Sequence, residues 1–222
     1  MKKRLLSCLP LLLLTALPAA AQENWSIGVG TGPFIFGDFV KRTLLIGNTG
    51  PSGRQTATLS AATRAGVSVD VQKMFSDHFG FRAEGTFTRA PLAVKSGDEN
   101  GVDIPAGKLN VTTFTLPIVW QLNRNGAFRF HLMGGPAYAM YDTSGRTNAS
   151  GIPVFEGHRN RFGAVAGGGV AWHLSERFAV EANIEDIVTS SPFERSDFPN
   201  TPGFSIERPN NIHTTIGIRW GF

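Results

Sequence analysis

Few side chains in this sequence combine the type and the spacing that chemistry needs. His173 and Ser175 stand two residues apart, close enough for an imidazole to take a proton from a hydroxyl, and a carboxylate such as Glu185 could orient the ring. Asp98, Asn100 and Asp103 offer the oxygen ligands calcium prefers, but their spacing departs from a calcium loop and no bidentate Glu follows in position. Gly28, Gly30 and Gly32 are not followed by a helical pattern, and Gly167 to Gly169 lack the Lys that would meet a phosphate, so neither glycine run cradles a nucleotide. The five histidines are scattered with no pair at metal-ligand spacing, so no metal and no cofactor is assigned. Asn148-Ala149-Ser150 fits a glycosylation sequon, a pattern short enough to arise by chance.

A different set of charges recurs in a pattern. Asp70, Arg82, Glu84, Arg129, His131, Glu181, Glu185 and Arg219 each alternate with apolar neighbours, so they share one face of extended segments. What that face meets depends on the elements that carry them.

The start of the chain reads as an address label. Lys2, Lys3 and Arg4 precede an apolar run from Leu5 to Leu17 that closes on Ala19, Ala20 and Ala21. This is the layout of a cleavable secretory signal peptide over residues 1–21, with a mature domain over 22–222. The single cysteine, Cys8, lies inside it, so the mature chain has no thiol for a disulfide, a metal or covalent catalysis. Cys8 also precedes most of the apolar core, which is the wrong place for a lipidated residue. The net charge of +4 is partly in the signal and otherwise scattered, which gives nucleic acid no basic stripe to bind. No later run is long and apolar enough for a membrane helix, so a membrane would have to be crossed by strands.

Eight runs of period-two alternation fill the mature chain: 25–36, 64–75, 78–88, 108–123, 127–141, 161–174, 177–187 and 211–222. Phe114, Leu116, Ile118, Trp120 and Leu122, for example, oppose Thr113, Thr115, Pro117 and Gln121, with Pro117 weakening the run locally. Three connections are tight, around Ser76-Asp77, Arg124-Asn125-Gly126 and Ser175-Glu176. The other four, 37–63, 90–107, 142–160 and 188–210, are long, and long and short alternate throughout. That layout predicts an all-β fold: an eight-stranded antiparallel up-and-down transmembrane barrel with short periplasmic turns and long external loops. A water-soluble lipocalin-like barrel would turn the same alternation inside out.

In the transmembrane reading the apolar face meets lipid and the eight charged residues face the bore. Unpaired charges cannot rest in a low-dielectric interior, so these side chains are expected to pair and to plug a bore that eight strands leave narrow. Trp25, Trp120, Trp172, Trp220 and Phe222, with Phe79, Phe128 and Phe178, gather toward the short-turn end as a periplasmic aromatic girdle.

The closing run Thr214-Thr215-Ile216-Gly217-Ile218-Arg219-Trp220-Gly221-Phe222 resembles the last strand of bacterial outer-membrane barrels, which alternates apolar residues and ends in an aromatic. Leu116-Pro117-Ile118, Met133-Gly134-Gly135-Pro136 and Gly167-Gly168-Gly169-Val170 resemble recurrent pieces of the small outer-membrane β-barrel domain family, which includes opacity-type and OmpA-like barrels. The resemblance implies an outer-membrane location, recognition of the last strand by the barrel-assembly machinery, and no enzyme activity of the family as such.

Two functional classes remain. A structural or surface-interaction protein, monomeric in outer-membrane lipid and lipopolysaccharide, would present its loops to a ligand. Arg42, Arg54, Arg64, Arg146, Arg159, Arg195 and Arg208 lie in or beside those loops, where they could meet phosphates or acidic molecules. A lipid A deacylase-like enzyme or a narrow channel is the alternative. The His173–Ser175 pair falls in a periplasmic turn with Glu185 most of a strand away, which is poor geometry for a triad at the outer leaflet.

Overall fold

The computed structural model describes residues 25–45, 54–96, 104–123, 125–144, 157–198 and 204–222. The signal peptide over 1–21, the Asp98–Asp103 stretch, Arg146 and the sequon lie outside the described residues. In chain order the strands are β1 (Trp25–Ile35), β2 (Val40–Leu45), β3 (Arg54–Ala61), β4 (Arg64–Met74), β5 (Phe79–Ser96) and β6 (Ile104–Thr115). Then come β7 (Ile118–Gln121), β8 (Phe128–Ser144), β9 (Gly157–His173), β10 (Phe178–Thr189), β11 (Phe204–Ile206) and β12 (Asn210–Gly221).

Eight antiparallel staves close into a barrel, with β6 and β7 forming one stave and β2, β3 and β11 outside the ring. Closure is set where Val29 of β1 lies opposite Val69 of β4 on one side and Ile218 of β12 on the other. First and last staves thereby satisfy each other's backbone groups, which a membrane-spanning sheet requires. Pro117 interrupts the fourth stave because it has no N–H to donate. The ladder carries on around it: Arg82 N donates to Pro117 O at 3.0 Å, and Leu116 N donates to Pro136 O at 3.0 Å.

The period-two pattern decides which way each residue points. Val67, Phe87, Phe114, Ile118, Phe130, Ile184, Ile216 and Ile218 are exposed on the outer wall, whereas Arg82, Glu84, Glu181 and Glu185 are buried in the bore. Where backbone crowding is greatest, glycine makes room: a Cβ on Gly28 would collide with the Asp70 carboxylate beside it.

Two features differ from the sequence reading. The segment 37–63, expected as a loop, carries the paired strands β2 and β3, of which β3 extends the wall by pairing Ala57–Ala61 with Leu92–Ser96 of β5. Residues Ala57, Leu59 and Ala61 do alternate with polar ones, but so briefly that periodicity alone does not separate strand from loop. The fourth long connection sends β11 against β2 and carries a 3-10 turn over Arg195–Asp197.

The second difference is the filling of the bore. Its paired charges are confined to the half nearest the short turns. The other half holds an apolar core in which Phe34, Leu92, Leu109, Val111, Tyr141 and Ile187 from the staves meet Phe36, Phe39, Val40, Leu59, Phe193 and Phe198 from the connections. Each such side chain contributes about 1.5–3 kcal/mol by leaving water. The connections are therefore packed parts of the fold rather than solvated tethers.

Candidate functional site

The charged half of the bore is built around two guanidinium groups. Arg82, on β5, puts Nη2 2.5 Å from Glu181 Oε1 and Nε 3.6 Å from Asp70 Oδ1. Its Nε and Nη2 also donate to Gln72 Oε1 at 3.1 and 2.8 Å. Arg219, on β12, donates from Nη2 to Asp70 Oδ1 at 2.7 Å, from Nη1 to Ser26 Oγ at 3.0 Å, and from Nε to Glu181 Oε2. Asp70 and Glu181 are thus each held between the same two cations, in a ring that ties β4, β5, β10 and β12 across the barrel axis. His131 Nε2 lies 3.0 Å from Asn183 Oδ1 and 3.5 Å from Glu181 Oε1.

Not every charge predicted for this network joins it. Arg129 is half-buried nearer the mouth, and its Nε has no hydrogen-bond partner among the described residues. Glu84, the cross-strand neighbour of Asp70, and Glu185 lie on the side of the ring away from the short turns, where they hydrogen-bond to each other; neither makes a direct ion pair among the described residues. Thr86 Oγ1 donates to Glu84 Oε1 at 3.1 Å. Below the ring, toward the short turns, a water-accessible cavity of about 650 Å³ opens, lined by Arg82, Gln121, Arg129, His131, His173 and Arg219 among others.

The outer wall at the same end carries three cross-strand aromatic pairs, each joining the first residue of a stave to a Trp directly opposite. Phe79 stacks on Trp120 at 6.2 Å, Phe128 on Trp172 at 5.9 Å, and Phe178 on Trp220 at 6.3 Å between ring centroids. Trp25 meets Phe81 edge-on at 6.1 Å, with Lys73 Nζ 4.9 Å above the Trp25 ring. Phe222 leans on Trp220 at 5.8 Å, and its N–H donates to Trp25 O at 2.9 Å, so the chain end is fixed to the first stave.

His173 and Ser175 do not form a nucleophilic pair with Glu185. Ser175 Oγ accepts from Phe178 N at 3.1 Å and from Arg177 N at 3.4 Å, as Ser76 Oγ accepts from Phe79 N at 3.1 Å and His78 N at 3.3 Å in the β4–β5 turn. The two serines occupy equivalent turns and cap them, while Glu185 is buried deep in the bore.

Among the loop arginines, Arg159 is 3.0 Å from Asp197 and 3.4 Å from Glu194, and the neighbouring Arg161 is 2.8 Å from Glu194. Arg195 lies over the Phe204 ring at 5.9 Å. Arg64 and Arg208 are exposed, and Arg42 is half-buried with Nε unpartnered.

Three interior groups escape the sequence reading. His213 and Asn211 share the inward parity of Thr215 and Arg219, which is the signal that finds them. Tyr141 bridges Thr189 Oγ1 at 2.7 Å and Asn211 Nδ2 at 3.2 Å across the bore.

A closed antiparallel barrel with an apolar outer wall, aromatic pairs along one rim and buried charges inside is the architecture of proteins that cross the bacterial outer membrane on strands. The sequence matches the family described as outer membrane protein beta-barrel domain over residues 6–215, and the chain belongs to that family and resides in the outer membrane. Among solved structures it is similar to the outer membrane protein OprG from Pseudomonas aeruginosa, with 15% identity, a TM-score of 0.61, and coverage of 90% of this chain and 96% of that one. It is also similar to Neisserial surface protein A, with 8% identity, a TM-score of 0.50, and coverage of 89% and 97%. These likenesses concern the fold. No curated protein matches the sequence.

Proposed function

We propose that this protein is a plugged barrel with a structural or surface-interaction role, its long external loops forming the recognition surface. The observation that carries this reading is the double closure of the bore: a ring of Arg82, Glu181, Arg219 and Asp70 in one half and a dry core under Phe39, Phe193 and Phe198 in the other. No continuous wet path suits such an interior. Loops on a rigid closed scaffold are the usual carriers of binding, and the exposed Arg64 and Arg208 suit lipopolysaccharide phosphates. The lumen residues named above act as internal ties, and Trp25, Trp120, Trp172 and Trp220 seat the periplasmic rim at the headgroup level. Phe222 serves the barrel-assembly machinery as part of the insertion signal, and the working unit is a monomer.

The competing enzyme or channel reading is tested directly. Planar bilayers holding the purified protein should stay silent, and the lipid A mass of cells should not change with expression. Steady single-channel steps, or lost acyl chains, would overturn the proposal.

A further inference from the structure

The bore contains a second polar cluster that the ion-pair ring does not use. Glu84 of β5, Glu185 of β10 and His213 of β12 converge one layer above it, each offering one ligand atom within 4.8 Å of the others. They are 6%, 2% and 0% exposed, respectively. Glu185 and His213 are direct cross-strand neighbours, and Glu84 reaches them from the facing side of the barrel.

Three observations indicate that this cluster is short of a positive partner. Both ring nitrogens of His213 and Glu185 Oε2 lack a hydrogen-bond partner. A neutral imidazole always carries one N–H that wants an acceptor and one lone pair that wants a donor or a metal. Charge is also out of balance: the buried carboxylates are Asp70, Glu84, Glu181 and Glu185, and the buried guanidiniums are Arg82, whose Nη1 has no hydrogen-bond partner, and Arg219. Two carboxylates balance two cations, and Glu84 and Glu185 are left over. Arg82 acts on them only through space, because its Nε and Nη2 are aimed at Gln72, Asp70 and Glu181 and its Nη1 makes no hydrogen bond. Finally, the imidazole is held in place. It stacks on Phe34 at 5.3 Å between centroids, and a Cβ on Gly66 would stand only 3.1 Å from Nε2, so glycine there makes the room the ring occupies.

We propose that Glu84, Glu185 and His213 form a buried site for a divalent first-row transition-metal ion, for which Zn²⁺ is the natural probe. One imidazole with two carboxylates is a donor set that suits zinc or iron better than magnesium or calcium, which favour all-oxygen cages. Metal binding would release the proton that the hydrogen-bonded Glu84 and Glu185 share, after which their two negative charges match the ion, and Thr86 supplies the outer hydrogen bond that orients Glu84. Ligand bonds of about 2.0–2.2 Å place ligand atoms at most about 4.4 Å apart, so the side chains close by roughly half an ångström on binding. The site joins three staves and lies at the boundary between the charged and apolar halves, so the ion would act as an internal staple. It stands independently of what the external loops bind.

The test uses the mature chain refolded into detergent micelles with excess Zn²⁺, washed with a chelator and analysed for metal by mass spectrometry. About one equivalent per folded barrel should be retained. Zinc far below stoichiometric in the wild type, with the fold verified by heat-modifiable migration, overturns the proposal. Glu185→Gln and His213→Gln should each lose at least about tenfold in retained metal. His158→Ala, which removes an exposed histidine at the start of β9, should lose none. Equal retention by all variants would mean that surface groups hold the metal, and it too overturns the assignment. Should a variant fail to fold, refolding wild type with Co²⁺ decides the matter. Visible d–d bands of a low-symmetry nitrogen–oxygen site support the proposal, and the spectrum of aqueous cobalt rejects it.

Discussion

In the lower bore Asp70 and Glu181 are each clamped between Arg82 and Arg219, while in the upper bore Leu109, Tyr141 and Ile187 are packed dry beneath Phe39 and Phe193. Both halves fill the same narrow cylinder, so the difference lies in what covers them. The lower half opens onto a cavity of about 650 Å³ at the short-turn mouth, where water can solvate outlying groups such as Arg129. Three tight turns cannot reach over the opening. The upper half is roofed by the β2–β3 pair and by the connection that bears the 3-10 turn, so apolar side chains there leave water completely. Ion pairs suit a space that water can enter from one side, and an oily core suits a space with a lid.

The largest way to break that comparison is to leave one of the ring's charges alone. Arg82 is 1% exposed and meets Glu181, Asp70 and Gln72. Arg82→Ala should destabilise the barrel by about 3–5 kcal/mol, because two carboxylates lose a partner in a low-dielectric setting. Urea titration in micelles, read by heat-modifiable migration, measures it. Replacing Asp70, Arg82, Glu181 and Arg219 together by apolar residues of similar volume should recover most of that loss, since it makes the lower half resemble the upper. A quadruple variant no more stable than Arg82→Ala would show that the ring itself, and not the absence of stranded charge, holds the lower bore.

In the upper half the corresponding cut is Leu109→Ala, at a side chain with no exposure. The cavity left behind should cost about 2–4 kcal/mol. Unlike the ring variant, it should also raise protease access to the β2–β3 pair, whose Val40 and Leu59 belong to the same core. Equal protection of that pair in both variants would sever the proposed link between core and lid.

A subtler change is Tyr141→Phe, which removes a hydroxyl bonded to Thr189 at 2.7 Å and to Asn211 at 3.2 Å. It keeps the ring and its packing, so the expected cost is about 1–2 kcal/mol from polar groups left unpaired. The same unfolding assay resolves it.

These contrasts also show what the sequence could reveal. The eight staves and their inward and outward faces follow from period-two alternation, because one-residue slips would swap every side chain between lipid and bore. Arg82, Glu181, Asp70 and Arg219 are legible as inward charges for that reason, though not which would pair, since partners such as Arg82 and Glu181 lie 99 residues apart in the chain and Asp70 and Arg219 lie 149 apart. His213 escaped because a single histidine on a strand has no spacing signal; only its parity with Thr215 marks it. The apolar upper core was hidden for a related reason. Phe36, Phe39 and Phe193 sit in connections, where an apolar residue has no period to betray its direction, and Tyr141 and Ile187 end their runs at positions where the faces change character.

The smallest expected effect separates the lid from the ring by its response to acid. The Arg161 guanidinium hydrogen-bonded to Glu194, with Arg159 beside it, holds that carboxyl below its ordinary value of 4.5. A carboxylate whose folded value is lowered supports the fold above its unfolded value, and loses that support as pH falls through the lowered one. The clasp between β9 and the Arg195–Asp197 turn should therefore be unchanged from pH 7 down to the ordinary carboxylate range and should loosen only below it. Because the Glu194 side chain is 45% exposed, salt should weaken the same contact at neutral pH, whereas the buried ring should ignore salt. Hydrogen exchange of the turn amides at Asp197 and Phe198, followed against pH and ionic strength, gives the readout. Protection that survives both acid and high salt would mean that the turn is held by the Phe198 packing beneath it and not by the arginines, and protection lost already between pH 7 and 5.5 would mean that Glu194 is not the titrating group.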